Sequence, residues 1–163
     1  MDRETPPPKA PPSLWVRWLL AANCGVMAGG LAAVLAPDFT LKGFSLLLYA
    51  NAERIYAFGP DAVAYIALVH AVLGGVMFGW GVALLKVIHG PFARGAIAGW
   101  RIVAVSVAAW FIPDTIFSLV SGFWQNALLN AAIAVTFALP LAATYRVFRK
   151  DFAEDGKGTY PTQ

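Results

Sequence analysis

The sequence predicts an all-α integral membrane protein, a four-helix bundle with both termini in the cytoplasm. Of its 163 residues, 59% are hydrophobic and only 13% are charged, with a mean hydropathy of +0.64. A soluble globular domain carries about twice that share of charge. Four apolar stretches are long enough to cross a hydrocarbon core of about 30 Å, which takes about 20 helical residues. We place these spans at residues 14–36, 62–86, 96–119 and 123–145.

The basic residues predict the orientation of the spans. Ten of the 12 Lys and Arg residues fall on one side of the predicted membrane, namely Arg3, Lys9, Arg17, Lys86, Arg94, Arg101, Arg146, Arg149, Lys150 and Lys157. Only Lys42 and Arg54 fall on the other side. Because Lys and Arg concentrate in cytoplasmic segments, we expect both termini inside, in a bacterial inner membrane. The net charge of +3 follows from this topology, and we expect no nucleic-acid partner.

The first span could also be read as a cleavable signal peptide, since residues 34–36, Val-Leu-Ala, are small or tolerable at a cleavage-like position. Its apolar run is longer than a signal-peptide core, is rich in glycine and is followed by Pro37, which favours a span. The expected domain order is a proline-rich cytoplasmic tail, the transmembrane domain and a polar cytoplasmic tail, at residues 1–13, 14–148 and 149–163. Cys24 is the only cysteine, so no internal disulfide and no cysteine metal cluster is expected.

Glycines four residues apart recur in the first three spans. They are Gly25, Gly29, Gly75, Gly79, Gly95 and Gly99. Because glycine lets helix backbones approach closely in lipid, we expect these residues at helix contacts, within the chain or between copies in a homo-oligomer. Asn23, near mid-membrane, is expected to hydrogen-bond another helix rather than a ligand. The fourth span has alanines at similar spacing and Pro140 as an expected kink.

The segment between the first two spans is predicted to be an interfacial helix at residues 41–58. Its apolar residues recur at helical spacing opposite Ser45, Glu53 and Arg54. Such a helix would lie on the outer surface as a lid. The alternative is a loop that dips its apolar side chains into lipid for anchorage alone.

The strongest candidate site is the polar group within residues 110–130. An acid inside an apolar span indicates function, because a charge in lipid is costly without a partner. Asp114 is such an acid. At helical spacing Trp110, Asp114 and Ser118 share one face, and Asn126 and Asn130 share a face of the next segment beyond a tight turn.

Two other readings bear on this group. His70 falls in the same estimated layer, so it could pair with Asp114 for proton transfer, or simply hydrogen-bond to it and tie two spans together. We therefore add His70 to the predicted pocket. Alternatively, Pro113 and Asp114 begin a short new helix at the membrane surface, where a negative charge suits a helix N-terminus.

No motif for nucleotide, metal or haem binding occurs, so the sequence indicates no cofactor and no metal. The residues Trp110, Asp114, Thr115, Ser118, Gly122, Asn126 and Asn130 give the chain a pattern that resembles small four-helix bacterial membrane proteins without a known activity. In size and intramembrane acid it is also similar to sterol-isomerase-like and DoxX-like families. Their motifs do not match residue by residue, so no site is carried over from them.

Three functions fit these features. The first is a non-enzymatic binder of an apolar small molecule or lipid, or a subunit of a larger membrane complex. The second is an intramembrane enzyme, an isomerase or redox protein, that acts on a lipid-soluble substrate. The third is a proton-coupled transporter, which would need to oligomerise because four helices leave little room for a pathway.

Overall fold

A computed structural model describes the backbone of residues 10–155 and the side chains of residues 10–148. All regular structure in this part of the chain is helical. The α-helices are α1 Ser13–Leu35, α2 Pro37–Tyr49, α3 Pro60–Val87, α4 Ile97–Val120 and α5 Trp124–Asp155. A short 3₁₀ helix, Arg54–Phe58, precedes α3, and a π-helical turn, Ile88–Phe92, follows it. Most of the predicted proline-rich tail and the last part of the C-terminal tail lie outside the described residues.

The four predicted apolar helices are confirmed. The helices long and apolar enough to cross a membrane are Ser13–Leu35, Pro60–Phe92, Ile97–Val120 and Trp124–Phe148. Their starting residues fall close to those expected from the sequence. The second and fourth spans differ most from the prediction, at their C-terminal ends, because the π-turn prolongs the second span and α5 continues to Asp155. The segment predicted as a polar tail from residue 149 is therefore helical at its start.

Proline and acidic residues explain where α2 and α3 begin. Pro37 and Pro60 occupy the first turn of their helices, where an N–H has no helical acceptor in any case. Asp38 and Asp61 follow in the same turns, where a negative charge suits the helix dipole. Gly59, just before α3, has a φ of 90°, which glycine adopts without steric cost.

The helices pack in two pairs. The largest contact joins α1 to α3, the next joins α4 to α5, and α1 also contacts α5. The short connection between α3 and α4 does not make them a closely packed pair, because the π-turn and not α3 itself carries most of the contact with α4. Side chains from all four long helices and the π-turn form the core, including Leu19, Leu84, Phe92, Val103, Phe137 and Phe148.

Glycines do mediate the α1–α3 contact, but they are not the predicted ones. A Cβ atom on Gly30 would lie 2.6 Å from the carbonyl oxygen of Gly74, and a Cβ on Gly74 would clash with the carbonyl oxygen of Gly30. Further along, a Cβ on Gly81 would clash with the side chain of Met27. The two backbones therefore touch at glycines that no bulkier residue can replace without moving a helix.

The prediction that Gly25, Gly29, Gly75 and Gly79 form helix contacts within the chain is wrong. A Cβ atom on any of them would meet nothing within 4 Å, and all are exposed. The reason is a rotation by one residue, or about 100° around a helix, which turns the neighbouring glycines inward.

The prediction holds for Gly99 but not for Gly95. A Cβ atom on Gly99 would clash with the backbone of Phe92, so this glycine lets α4 pack against the π-turn. Gly95 precedes α4 with a φ of 79°, so its role is conformational, in the turn that starts the helix.

Two hydrogen bonds tie α1 to its neighbours. The prediction for Asn23 is confirmed, since its Nδ2 donates to the carbonyl of Gly81 in α3 at 2.8 Å and its side chain is fully buried. The indole Nε1 of Trp18 donates to the carbonyl of Thr136 in α5 at 2.9 Å. That carbonyl lacks its helical donor because residue 140, four positions on, is Pro140. The indole thus satisfies a backbone group that the proline leaves free.

Candidate functional site

Asp114 lies inside a continuous helix. Helix α4 runs from Ile97 to Val120 with Pro113 in its interior, so Asp114 does not begin a new helix. The reading of Asp114 as an N-terminal residue at the membrane surface is therefore wrong. A proline inside a helix removes one backbone hydrogen bond, and a membrane helix tolerates this where neighbouring groups compensate. The carboxylate projects from the last turns of α4, half-buried.

A hydrogen-bond network joins α4 to α5 at this level. Asn126 Nδ2 donates to Asp114 Oδ1 at 3.2 Å and to Ser118 Oγ at 2.8 Å. Ser118 Oγ donates to the backbone carbonyl of Asp114 at 2.7 Å. The tight turn at Gly122, whose φ is 82°, brings the two helices together at this point. The structure thus places Asp114, Ser118 and Asn126 in mutual contact, as their spacing predicts.

Three buried polar atoms around this network have no hydrogen-bond partner. They are Thr115 Oγ1, Gln125 Oε1 and Asn130 Nδ2. Asn130 is only 3% exposed, so its amide is shielded from solvent. We call the six residues Asp114, Thr115, Ser118, Gln125, Asn126 and Asn130 the polar cluster. Buried polar groups are almost always paired, so these atoms are the positions in this region where a bound molecule or water would find a partner.

Helix α2 closes the cluster from one side. Gln125 Nε2 donates to the carbonyl of Leu48 near the end of α2, at 3.3 Å. The predicted helix over residues 41–58 is thus present as α2 and the following 3₁₀ helix, with α2 beginning earlier, at Pro37. Helix α2 also contacts α5. We keep the word lid as a name for α2 and the 3₁₀ helix together, residues 37–58.

Hydrogen bonds fasten α2 to the 3₁₀ helix. Ser45 Oγ donates to the carbonyl of Asn51 at 2.7 Å and accepts from the backbone N–H of Ile55 at 3.2 Å. This buried serine, 2% exposed, is therefore fully satisfied by the segment itself. The turn between the two helices has a left-handed residue, Ala50, with a φ of 53°. The lid is thus a folded unit rather than an open loop.

Charged side chains on the lid form an exposed network. Lys42 Nζ lies 3.5 Å from Asp38 Oδ2 and 3.4 Å from Glu53 Oε1. The Tyr56 hydroxyl donates to the Asp38 carboxylate, and this bond lowers the pKa of Asp38 below its usual value and raises the pKa of Tyr56. The Glu53 carboxylate raises the pKa of Lys42. These contacts hold the lid in one shape, although each exposed ion pair is weak.

His70 and Trp110 make their ring contacts with residues outside the polar cluster. His70 Nδ1 is 2.9 Å from the carbonyl oxygen of Ile66 in its own helix, and its ring packs edge-on against Phe44 of the lid, with ring centres 5.2 Å apart. Among the described residues none of its hydrogen bonds is to Asp114. The ring of Trp110 faces the ring of Trp80, at 6.5 Å between centres. Both residues therefore contribute to helix packing in this structure.

A groove of about 640 Å³ runs between α4 and α5 and is open along the outside of the protein. Its floor is almost wholly apolar and consists mainly of alanines, namely Ala104, Ala108, Ala131, Ala134, Ala138 and Ala142. Trp100 and Tyr145 flank it where α4 begins, and Phe111 lies at the other end. We call it the alanine groove. The alanine spacing in the fourth span indicated the side of the groove that α5 forms. No pattern in the third span indicated the side that α4 forms.

The alanine groove and the polar cluster share one face of α4. Thr115 is four residues after Phe111 and so continues the groove face of α4. On α5 the cluster residues Gln125, Asn126 and Asn130 lie about 100–140° around the helix from Ala131, so they do not continue the groove face there. A mostly apolar surface with a few polar groups is typical of sites for amphiphilic molecules.

No model of a protein family, no curated protein and no solved structure matches this chain.

Proposed function

We propose that this chain is a small integral membrane protein that binds a lipid-soluble amphiphilic molecule between α4 and α5. The proposal includes a bacterial inner membrane location with both termini in the cytoplasm, which the distribution of basic residues supports. The polar group of the bound molecule would lie at the polar cluster, and its apolar part in the alanine groove.

The observation that carries this proposal is the set of unpaired buried atoms beside an apolar groove. An unpaired polar atom in a buried site costs about 1–3 kcal/mol. Three such atoms, on Thr115, Gln125 and Asn130, lie in the turns of α4 and α5 on either side of Gly122. Thr115 continues the groove face of α4, and its hydroxyl can donate to or accept from a hydroxyl or carbonyl group of a ligand. A structure built only for stability would place apolar side chains at these positions.

The Asn130→Leu variant tests this proposal. Leucine has a similar volume and no unpaired amide, so the ligand-free protein should become more stable, by about 1–3 kcal/mol. The same variant should lose the molecule that copurifies with the parent protein, as measured by mass spectrometry of an organic extract. Lower stability with unchanged copurification would contradict a binding role for Asn130. The matched control is Leu128→Ala, at an exposed position on the same helix, which should leave copurification unchanged.

An intramembrane enzyme is the second candidate, and the half-buried carboxylate of Asp114 favours it. Asn126 reaches only Oδ1 of this carboxylate. If Asp114 moves a proton of the bound molecule, Asp114→Asn should abolish conversion of the copurified molecule while preserving its binding. If Asp114→Asn loses the bound molecule and the parent protein does not convert it, Asp114 is a structural part of the cluster and does not transfer a proton.

Association with a second copy is a further part of the proposal. Gly25, Gly29, Gly75 and Gly79 are exposed and make no contact within the chain, although their spacing suits close helix packing. Mass measurement in detergent by light scattering tests this association. A dimer that Gly25→Leu converts to a monomer would support it, and a monomeric parent protein would rule it out.

A further inference from the structure

We propose that α2 lies at the boundary between the hydrocarbon core and the lipid head groups, with its outward face in contact with one leaflet. This outward face consists of Phe39, Lys42, Leu46 and Tyr49. The lid is then an anchor in the bilayer as well as a cover over the helix ends. The inference goes beyond the proposed function, because it does not depend on a molecule bound between α4 and α5.

Both ends of α2 lie on the same side of the membrane. One residue, Ala36, separates Pro37 from the end of α1. At the other end of α2, the carbonyl of Leu48 accepts a hydrogen bond from Gln125 Nε2, at the start of α5. Because consecutive spans cross the membrane in opposite directions, α1 ends on the side where α5 begins. Helix α2 therefore runs across the ends of the spans and not along them.

The lengths of α1 and α5 place these ends at the surface of the hydrocarbon core. From Trp15 to Leu35, about 20 residues rise about 30 Å, and from Trp124 to Tyr145 a similar number rise about 32 Å, at 1.5 Å for each residue. A hydrocarbon core is about 30 Å thick, and Trp and Tyr concentrate at its two surfaces. Trp124, next to Gln125, is exposed. The end of α2 that contacts Gln125 thus lies at one of these surfaces.

The outward face of α2 is apolar apart from its lysine. Its four residues recur at intervals of three and four, which places them on one side of a helix. Phe39 is 73% exposed and Leu46 is 56% exposed, whereas Leu41 is buried against the rest of the protein. Apolar side chains at a membrane surface gain free energy when they enter the acyl chains. Lipid is therefore the partner that fits this face.

The contacts of Lys42 suit a position at this boundary. Its Nζ lies 3.5 Å from Asp38 Oδ2, 3.4 Å from Glu53 Oε1 and 5.6 Å from the centre of the Tyr56 ring. The ammonium group is thus held toward the 3₁₀ helix and its carboxylate neighbours. Lysines at a membrane interface commonly keep the charge among polar groups while the stem covers apolar surface. The charges of the lid therefore mark the head-group side of α2.

Spin labels on single cysteines measure the depth of each side of α2. Cys24→Ser removes the only native cysteine. The full-length protein is then labelled at Phe39→Cys, Leu46→Cys or Asp38→Cys and reconstituted in phosphatidylcholine vesicles. Paramagnetic resonance gives the depth from collisions with oxygen, which concentrates in acyl chains, and with a water-soluble nickel chelate. We expect the labels at 39 and 46 to lie about 5–10 Å below the head-group boundary, and the label at 38 at or above it.

Asp38 and Phe39 form a matched pair. They are adjacent and similarly exposed, with 68% for the Asp38 side chain and 73% for Phe39, but they point about 100° apart around the helix. A label at Val105, exposed on α4, gives the reference value for the acyl chains, and a label at Asp61, in the first turn of α3, gives that for the polar side. Circular dichroism confirms that each labelled variant is folded.

The collision partners decide between the possible surroundings of α2. Labels at 39 and 46 that collide mainly with oxygen, as at Val105, would support the inference. Labels that collide mainly with the nickel chelate, as at Asp61, would overturn it, because the outward face would then lie in water. Labels shielded from both reagents would also overturn it, since a second copy or another protein would then cover the face. The proposed ligand site is tested separately, by Asn130→Leu.

Discussion

Replacing Gly74 or Gly75 with alanine gives a sharp test of the fold, because the two residues are adjacent in α3 but face opposite surroundings. A Cβ on Gly74 would clash with the backbone carbonyl of Gly30 and lie 2.8 Å from Cβ of Ala33, whereas a Cβ on Gly75 would meet nothing within 4 Å. Alanine is favoured over glycine in a helix by about 1 kcal/mol at either position. Because this gain is the same at both positions, the difference in stability between Gly74→Ala and Gly75→Ala reports only the effect of packing.

The clash at Gly74 involves backbone atoms, which cannot move aside as a flexible side chain can. Helices α1 and α3 must separate, and overpacking of this kind costs about 1–3 kcal/mol. We therefore expect Gly74→Ala to be less stable than Gly75→Ala by about that amount. Gly75→Ala should equal the parent protein or exceed it slightly.

The measurement is reversible unfolding by SDS in mixed micelles, followed by circular dichroism, at a protein concentration where the chain is monomeric. Gly30→Ala and Gly29→Ala provide a second matched pair on the facing helix, with the same expected order. Equal stability of Gly74→Ala and Gly75→Ala would refute the α1–α3 contact described above. A reversed order would mean that the other glycine face is the packed one.

Four further predictions follow from the contacts. Trp18→Phe keeps the aromatic ring but removes the donor to the Thr136 carbonyl of α5, so it should lower the free energy of unfolding by about 0.5–1.5 kcal/mol in the same SDS assay. Asp114→Leu should destabilise more than Asp114→Asn, and a double-mutant cycle of Asp114→Asn with Asn126→Ala should give a coupling above about 0.5 kcal/mol; a smaller value would argue against the network. The hydrogen bond from Tyr56 lowers the pKa of Asp38 in the folded protein. The contribution of this bond to folding stability is therefore present above the unfolded pKa of about 3.8, and it is lost as the pH falls through the lower folded pKa. The protection factors of the α2 amides, which are exchange rates corrected for the intrinsic effect of pH, should therefore fall in acid, and much less so in Asp38→Asn. A reporter fused after Gln163 should be active only in the cytoplasm, and activity on the other side of the membrane would contradict the proposed orientation.

Composition and length were sufficient to predict the four long helices, but not which of their faces meet. In a soluble protein, apolar periodicity shows which side of a helix turns inward. In a membrane protein, leucine and valine occur both in the core and on the lipid-facing surface, so apolar periodicity no longer shows which side of a helix faces inward. The sequence has glycine at both 29 and 30 and at both 74 and 75, and only the inner member of each pair forms the contact. Glycines four residues apart indicated that helices pack closely, but not which face of each helix makes the contact.

The polar network was predictable for a local reason. Asp114 and Asn126 are separated by one tight turn, so the chain itself brings their helices together, and helical spacing then fixes which side chains meet. His70 lies in a distant part of the sequence, and only its depth could be estimated. Because α3 pairs with α1 and contacts the lid, His70 meets Phe44 rather than Asp114. The depth of a residue in the membrane does not predict a contact between distant spans unless the direction in which its helix face points is also known.

The hydrogen bond between Trp18 and the carbonyl of Thr136 has a consequence for the order of assembly during synthesis. Helix α1 can pair with α3 as soon as α3 enters the membrane, since their glycine contact needs nothing from the rest of the chain. The indole of Trp18, by contrast, finds its acceptor only after α5 has been made, more than a hundred residues later. Because chains fold from the N-terminus as they are synthesised, closure between the first and last helices comes late. Until then the indole N–H of Trp18 lacks its acceptor on α5, and the half-built protein is open to neighbouring membrane proteins or chaperones at that face of α1.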